Sequence, residues 1–308
     1  MTEPSIAICV VTYNSADLIE EFVGSLAAGA IGTDWHLVVA DNASADGTIA
    51  ELERWAPDAT VVEVGENRGY AAGVNAAVRA AGPRDAYLIV NADVRLGAGC
   101  LAVLYARLSP EVGIAVPRLL DAEGELIWSL RREPTLARAW ADALVGAERV
   151  GASPVFGEIV TDRRLYDAAR STDWAEGSTQ LVSSACWAAC GDWDESYFLY
   201  SEETEFDLRA RDLGFATWYE PRATAIHLEG GSADSPRQWS LLVANRVRLF
   251  RARNGPAATA VFWLATVVRE STRTLLGKRA SRAAIQDLLS PRRLRQTRSP
   301  EWLGGVRV

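Results

Sequence analysis

The sequence from Asp85 to Asp93 is D-A-Y-L-I-V-N-A-D, a short apolar run that ends in two polar residues, Asn91 and Asp93. A continuous apolar run of this length is typical of a strand that is covered on both faces of a sheet. In open α/β sheets, ligands bind at the carboxyl ends of the strands. An Asp at such an end can hold a hard divalent cation through oxygen and share it with a diphosphate. Taken alone, the nine residues favour a simple turn, because Asn and Asp are both common in turns.

Three more strand patterns precede this one, and a helical pattern follows each of them. They are Ser5–Thr12, His36–Asp41 and Ala59–Val64. Strand–helix alternation at this spacing predicts an α/β fold with a doubly wound, mostly parallel sheet. Right-handed crossovers would place the first and fourth strands side by side, with Thr12–Asn14, Asp41 and Asn91–Asp93 on one rim. No G-x-G-x-x-G follows the first strand, which argues against a dinucleotide-binding fold.

The patterns after Asp93 are mixed and include a loop-rich insert. The predicted elements are a helix at 99–109, a strand at 112–117, a helix at 135–145, a strand at 178–187, a helix at 206–213 and a short strand at 223–227. Residues 146–172 lack periodicity. A segment of that length inside a compact domain is usually functional or mobile.

Charge is divided unevenly along the chain, whose formal net charge is −8. Residues 1–244 carry 18 Lys and Arg against 37 Asp and Glu, a net of −19, whereas residues 245–308 carry 14 against 3, a net of +11. A basic tail on an acidic body predicts contact with something anionic. Helical patterns place Phe262, Trp263 and Val267 beside Arg residues, which suits an anionic membrane surface or a helical homodimer contact. A solvated helical face stays open as an alternative, and no nucleic-acid partner is predicted because no reader motif accompanies the basic residues.

Cysteine use and hydropathy favour a cytoplasmic protein. No apolar run reaches the length of a membrane span, and no basic-then-apolar leader begins the chain. Cys186 and Cys190 have three residues between them, not the two of a common metal or redox pair. We therefore expect free thiols in a reducing cytosol, with the basic tail as the candidate for contact with the inner face of the cell membrane.

Six motifs occur in order along the chain: V-V-T-Y-N-S, D-N-A-S-A-D-G-T, N-R-G-Y-A-A-G-V-N, V-N-A-D, D-W-D-E-S-Y-F-L-Y-S-E-E-T-E-F-D-L-R and A-I-H-L-E-G-G-S. Together they resemble the family 2 inverting glycosyltransferases of the GT-A fold, and within them the bacterial rhamnosyltransferase-like group. The resemblance implies a GT-A catalytic domain over 1–235, followed by a basic helical region over 236–308. Within the domain, residues 1–117 would bind the nucleotide and residues 118–235 would bind the acceptor.

The resemblance also implies a set of site residues. Its nucleotide-sugar-binding positions fall on Thr12, Tyr13, Asn14, Asp41, Asn67, Arg68, Asn91 and Asp93. Asp93 would be a metal ligand and His227 would complete the metal site, whereas Asn91 replaces the first acid of the family's D-x-D motif. Imidazole with carboxylate and diphosphate oxygens suits Mn²⁺, and Mg²⁺ less well. Without the resemblance, Asp41 could equally cap the next helix, and His227 could be a satisfied histidine at a strand end.

The proposed base departs from the family pattern. The family's Glu-Asp pair falls on Glu202-Glu203, so Glu203 replaces the catalytic Asp with one additional methylene, and Asp194 is the alternative base. A carboxylate within hydrogen-bond reach of the acceptor hydroxyl can take its proton as the bond to the sugar forms. Without the resemblance, Glu202, Glu203 and Glu205 would be interpreted as an acidic first helical turn that faces water.

The expected activity is metal-dependent transfer of a sugar from a nucleoside diphosphate donor to a glycan or polyprenyl-diphosphate-linked acceptor. L-Rhamnose from dTDP-rhamnose is the expected donor, in cell-wall or surface polysaccharide synthesis. The alternatives are another donor such as a UDP-sugar, a sugar nucleotidyltransferase and a non-catalytic nucleotide-sugar-binding protein. Residues Thr12–Ser15 lack the Gly-rich, basic loop that a nucleotidyltransferase needs for its triphosphate, whereas Asn91 and Glu203 keep the non-catalytic alternative open.

Overall fold

A computed structural model describes residues 3–228 and 235–290 of this chain, and its centre is a nine-stranded sheet. The first four strands are β1 (Ser5–Thr12), β2 (Asp34–Asp41), β3 (Thr60–Glu63) and β4 (Ala86–Asn91). They lie parallel in the order β3-β2-β1-β4, which confirms that the first and fourth strands are neighbours. Thr12 pairs with Asp41 and Val11 pairs with Asn91, so the polar ends of three strands share one rim.

Helices cover both faces of this parallel part. They are α1 (Ala16–Gly29), α2 (Thr48–Trp55) and α3 (Tyr70–Ala81). Alternate residues of a strand point to opposite faces, so Ile8 lies in one core cluster with Phe22 and Cys9 lies in the other with Val74. Each fully buried large apolar side chain stabilises the fold by roughly 1.5–3 kcal/mol. Gly73 lets α3 approach β1 closely, because a Cβ there would lie 2.5 Å from a methyl carbon of Val11.

The second half of the sheet mixes parallel and antiparallel strands. These are β5 (Val94–Leu96), β6 (Val112–Leu120), β8 (Arg170–Thr172), β10 (Thr179–Ser183) and β11 (Ala216–His227), while β7 (Leu130–Arg131) and β9 (Trp174–Ala175) form a separate pair. Strand β10 runs antiparallel to both β4 and β6, and β11 runs parallel to β6. Strand β10 therefore lies between the parallel part of the sheet and β6, which in turn pairs with the strand that ends at His227.

Several boundaries in this half differ from the predicted ones. The helices are α4 (Cys100–Tyr105), α5 (Leu136–Val145), α6 (Ala147–Val150), α7 (Ser184–Cys190) and α8 (Glu202–Asp212). A single strand over 178–187 is wrong, because the Ser183 side chain accepts the amide of Cys186 and begins α7 there. A short apolar run does not by itself distinguish a strand from a buried helix. Strand β5 was not predicted, and β11 begins seven residues before the predicted start.

The basic tail folds against the body as three helices. They are α9 (Pro236–Arg253), α10 (Pro256–Leu275) and α11 (Arg279–Leu288). Phe262 is fully buried and stacks on Phe250 with ring centroids 4.0 Å apart, while Trp263 and Val267 pack against the same cluster. Phe262 fills the interior of the tail, so assigning it to a membrane or dimer surface is wrong, while Trp263 and Val267 are partly buried against it. Over the described ranges, no helix is both long enough and apolar enough to cross a membrane.

Part of the tail's positive charge meets carboxylates of the body. Arg246 forms ion pairs with Glu158 and, at 3.7 Å, with Asp142 of α5. Arg269 lies 2.8 Å from the same Asp142 and 2.6 Å from Glu270. Removing one partner of a buried ion pair destabilises a protein by roughly 3–5 kcal/mol, because the remaining charge loses its compensation. These two arginines therefore find anionic partners within the same chain, in the acidic body and, for Arg269, also in the tail.

Candidate active site

The first part of the site is the donor rim, which we define as Thr12, Asn14, Asp41, Asn91 and Asp93. Thr12 Oγ1 donates to Asp41 Oδ1 at 2.8 Å, and Asp41 also accepts the amide and the hydroxyl of Ser44, at 2.8 and 2.5 Å. Asn14 Oδ1 accepts the amide of Ala45 at 2.8 Å. The loops after β1 and β2 are thereby locked together. Asp41 organises these loops and does not cap α2, whose N-cap position is Gly47.

The second predicted binding segment begins α3. Asn67 Oδ1 accepts the amide of Gly69 at 3.0 Å, and Arg68 donates to Glu195 at 3.0 Å. Gly69 has a φ of +93°, and a Cβ there would lie 2.2 Å from the carbonyl oxygen of Phe198. Only glycine tolerates both the left-handed backbone and the close approach. The turn at Gly69 therefore packs closely against Phe198. The chain continues from Phe198 to the proposed base, Glu203.

Tyr70 is a site residue that the sequence did not single out, although it lies within a quoted motif. Its hydroxyl donates to Asn91 Oδ1 at 2.7 Å. Burial, together with the charges of Glu202, Asp93 and Glu203, raises the pKa of Tyr70 well above its usual value. The phenol therefore keeps its proton among these carboxylates and stays a hydrogen-bond donor. The sequence feature that could have identified Tyr70 is its position directly after Gly69, the glycine at which α3 begins.

The candidate metal site lies where β5 pairs with the end of β11. His227 is the partner of Val94, so its ring reaches Asp93, with Nε2 3.4 Å from Asp93 Oδ2. On its other side, His227 Nδ1 lies 3.0 Å from Glu176 Oε1. Burial alone would lower the pKa of His227, but hydrogen bonds and charge from Asp93 and Glu176 outweigh it and raise the pKa to about 10. Glu176, which follows β9, was missed because no motif marks it.

These donors fit a divalent cation that is shared with a diphosphate. In residues 3–228 and 235–290, no three His, Cys, Asp or Glu side chains surround a common point. Such cations are usually held by one or two protein ligands plus substrate phosphates. Adjacent ligands at about 2.1 Å from one ion would be about 3 Å apart, close to the observed spacing between Asp93 and His227. Glu176 would then fix the histidine ring, as the second partner of a metal-bound histidine commonly does.

The proposed base lies at the start of α8, directly after a distorted turn. We call Leu199–Glu203 the base turn, within which Tyr200 and Ser201 have φ values of +68° and +77°. Glu202 is 3% exposed, and burial together with the charge of Glu203 raises its pKa well above the usual value. Burial also raises the pKa of Glu203. The alternative of a water-facing acidic turn is therefore wrong.

Glu203 and Asp194 occupy different surroundings. A Cβ on Gly177 would lie 2.9 Å from Glu203 Cβ, so this glycine lets Glu203 pack beside the segment that carries Glu176. Asp194 is exposed, and its Oδ1 accepts the amide of Ser196 at 2.9 Å within a local turn. The structure therefore packs Glu203 against the residue next to Glu176, the partner of His227, and places Asp194 in a surface turn.

Comparisons with known proteins find a family model that matches part of the chain and two similar glycosyltransferases. Residues 7–144 match the family model described as Glycosyl transferase family 2. The chain is 28% identical over 232 residues to an N-acetylglucosaminyl-diphospho-decaprenol L-rhamnosyltransferase of Mycobacterium tuberculosis, covering 71% of this chain and 75% of the relative. It is 29% identical over 215 residues to the low-salt glycan biosynthesis hexosyltransferase Agl10 of Haloferax volcanii, covering 67% of this chain and 61% of the relative.

A solved structure has the same architecture. The mannosyltransferase PcManGT from Pyrobaculum calidifontis, in complex with GDP-Man and Mn²⁺, has a TM-score of 0.58 at 19% identity, with 99% of this chain and 86% of that chain covered. The segment that matches the family model includes most of β1, all of β2 and β4, and all of the donor rim. The expected similarity to family 2 glycosyltransferases is confirmed for the matched residues 7–144, and the mixed α/β architecture is confirmed as similar to that of GT-A glycosyltransferases.

Proposed function

We propose that this enzyme transfers L-rhamnose, with inversion, from dTDP-L-rhamnose to a polyprenyl-diphosphate-linked glycan acceptor in cell-wall or surface polysaccharide synthesis. The observation that carries the proposed chemistry is that His227 lies between Asp93 and Glu176, while Glu203 packs against Gly177, the residue that follows Glu176. The mycobacterial relative supports the choice of sugar and acceptor, because its name specifies an L-rhamnosyltransferase and a decaprenyl-diphosphate-linked substrate. We propose the cytoplasm as the compartment in which the donor is bound.

The donor rim and the candidate metal site would act on the nucleotide sugar. Asp93 and His227 would hold a divalent cation, Mn²⁺ or Mg²⁺, which supplies positive charge to the departing diphosphate. Asn91 cannot add a negative charge to that site, but its amide is already oriented by the hydroxyl of Tyr70. The interlocked loops that carry Thr12, Asn14 and Asp41 would hold the nucleoside in a fixed place.

Glu203 would act on the acceptor. The acceptor hydroxyl oxygen attacks the anomeric carbon, the bond from that carbon to the diphosphate oxygen breaks, and Glu203 takes the hydroxyl proton. A base works best when its pKa lies near the operating pH. Burial raises the pKa of Glu203 from its ordinary acidic value towards that range. The nucleoside diphosphate leaves on the opposite face of the sugar, which gives inversion.

The outer face of the tail is the proposed contact with the membrane that contains the acceptor. Val261, Leu264, Leu275 and Leu276 are 42%, 46%, 88% and 75% exposed, and the exposed Lys278 follows them. Apolar residues beside basic ones suit an anionic membrane interface. Because α10 packs into the fold, truncation would open the interior, so Leu275→Ser together with Leu276→Ser is the better test. We expect weaker sedimentation with anionic vesicles and unchanged transfer to a short soluble acceptor.

The activity can be tested with a panel of donors. The protein is incubated with dTDP-rhamnose, UDP-GlcNAc or GDP-mannose, with Mn²⁺ and a short-chain prenyl diphosphate carrying GlcNAc, and mass spectrometry follows the acceptor. We expect rhamnosylated acceptor and one equivalent of dTDP. Turnover of a UDP-sugar alone would replace the donor in this proposal. Release of pyrophosphate would indicate a nucleotidyltransferase, and binding without turnover would indicate a nucleotide-sugar-binding protein.

A further inference from the structure

The base turn is held from the tail by a single buried amide. Asn245 of α9 is 1% exposed, and its Nδ2 donates to the carbonyl oxygens of Leu199 and Tyr200 at 2.9 and 3.1 Å. Two of the backbone acceptors just before Glu202 are therefore bound by one side chain. This side chain belongs to a helix that begins after the strand that carries His227.

The orientation of that amide is fixed by a neighbouring arginine. Arg248 donates to Asn245 Oδ1 at 3.0 Å and to the carbonyl oxygen of Ser196 at 3.2 Å, and its guanidinium lies over the ring of Tyr197, 5.0 Å from the centroid. Arginine donates hydrogen bonds and never accepts them. The amide oxygen of Asn245 must therefore face Arg248, which leaves its NH₂ group facing the base turn.

The backbone that this amide holds is unfavourable without support. Tyr200 and Ser201 are consecutive non-glycine residues in the left-handed region. Such residues persist only where the surrounding structure holds them, and they are frequent at functional sites. Helix α3 holds the chain just before the base turn. Phe198 accepts the amide of Tyr70, and Asn75 exchanges hydrogen bonds with the backbone of Trp193. The base turn and the residues before it are thus held by α3 on one side and by the tail on the other.

We propose that Asn245 is a positioning residue that sets the place of the Glu203 carboxylate through the base turn. This inference rests on the proposed function, because it takes Glu203 as the base. Glu203 lies two residues after Ser201, so a change in the two left-handed residues would move the start of α8 and the carboxylate with it. The tail would then belong to the catalytic apparatus as well as to the fold.

The test compares Asn245→Asp with Ser240→Ala. Asp keeps the shape of Asn but cannot donate to the two carbonyls, whereas Ser240 is an equally buried polar residue of α9 that contacts α11 and not the base turn. We expect Asn245→Asp to lower kcat about 10- to 100-fold, with the KM for the donor unchanged, because small displacements of a reacting group have effects of this size. Ser240→Ala should stay within about twofold of wild-type kcat. Arg248→Met should change kcat in the same direction as Asn245→Asp and by less.

Two further measurements separate the possible failures. In a Glu203→Gln background, measured under single-turnover conditions, Asn245→Asp should cause little additional loss, because residues that act as a unit are not additive. Multiplicative losses of kcat in the double variant would overturn the inference, as would an equal loss in Ser240→Ala.

Amide hydrogen exchange over residues 196–205 should accelerate in Asn245→Asp and not in Ser240→Ala. Unchanged exchange in Asn245→Asp would also overturn the inference. If Glu203→Gln itself is fully active, the proposed base is wrong, which is a failure of the proposed function.

Discussion

The donor rim and the base turn lie beside each other but hold their carboxylates in opposite ways. Asp41 in the donor rim accepts hydrogen bonds from Thr12 and twice from Ser44. Glu202 in the base turn is equally buried, yet its Oε2 has no hydrogen-bond partner among the described residues. A satisfied carboxylate stabilises the loops that it joins, whereas a buried and poorly partnered carboxylate favours its neutral form. Asp41 thus joins two loops through satisfied hydrogen bonds, whereas burial in the base turn favours the protonated form of Glu202.

The largest expected effect tests whether the base turn contributes the base. Glu203→Gln should lower turnover by roughly 10²- to 10⁴-fold, because Gln cannot accept the acceptor's proton, while affinity for the nucleoside diphosphate should be retained. Turnover is measured with labelled donor and affinity by calorimetry. Glu205→Gln is the matched control, since Glu205 lies in the same helical turn and pairs with Arg209 at 2.8 Å.

The contrary outcome is equally specific. If Glu203→Gln is close to wild type while Asp194→Asn is inactive, the base is Asp194. The exposed turn around Asp194 would then have to close over the acceptor.

The second effect concerns His227, which lies between Asp93 of the donor rim and Glu176. Glu176→Ala should weaken binding of Mn²⁺ in the presence of nucleoside diphosphate by roughly 10- to 100-fold, because the partner of a ligating histidine orients its ring. Asp93→Ala should abolish the metal dependence of nucleotide binding. Glu205→Ala is the control, and titration calorimetry is the measurement. Loss in Asp93→Ala without any loss in Glu176→Ala would show that His227 needs no orienting partner.

The third effect tests the stabilising role of the donor rim. Asp41→Ala leaves the buried hydroxyl of Thr12 and the amide of Ser44 without their acceptor, so the free energy of unfolding should fall by roughly 1–3 kcal/mol. Urea unfolding measures it, and Asp34→Ala is the control because Asp34 is exposed at the start of the same strand. Unchanged stability together with lost nucleotide affinity would instead make Asp41 a direct ligand of the donor.

The same comparison explains what the sequence could predict. The donor rim could be predicted from the alternation of strands and helices. The first and fourth predicted strands, Ser5–Thr12 and Asp85–Asp93, are expected to be parallel neighbours whose polar ends meet. The partners of Asp41 were not predictable, since they depend on how two loops interlock. The local sequence around Glu202 predicts an acidic helical turn that faces water. Only the tertiary fold shows that Glu202 is buried.

The remaining site residues depend on contacts between distant segments. Glu176 meets His227 because the short strand β5 holds the end of β11, and three residues carry no clear periodic signal. Tyr70 and Asn245 likewise act on segments more than 20 residues away in sequence. Phe262 of the tail was misassigned for a related reason, since an amphipathic helix pattern does not specify whether a membrane, a second copy or the chain's own body covers it.

The smallest expected effect is a gain in stability from the base turn. The pKa of Glu202 is raised in the folded state by burial and by Glu203, so its contribution to stability is full below the unfolded pKa of about 4.3 and declines as pH rises through the folded pKa. Glu202→Gln stays neutral throughout, so its advantage over wild type should grow from pH 4 upward and reach on the order of 0.5–2 kcal/mol at neutral pH. Urea unfolding from pH 4 to 8, with Glu205→Gln as the control, measures this difference. A variant that is less stable than wild type at neutral pH would mean that Glu202 is ionised and well partnered, and the base turn would then resemble the donor rim.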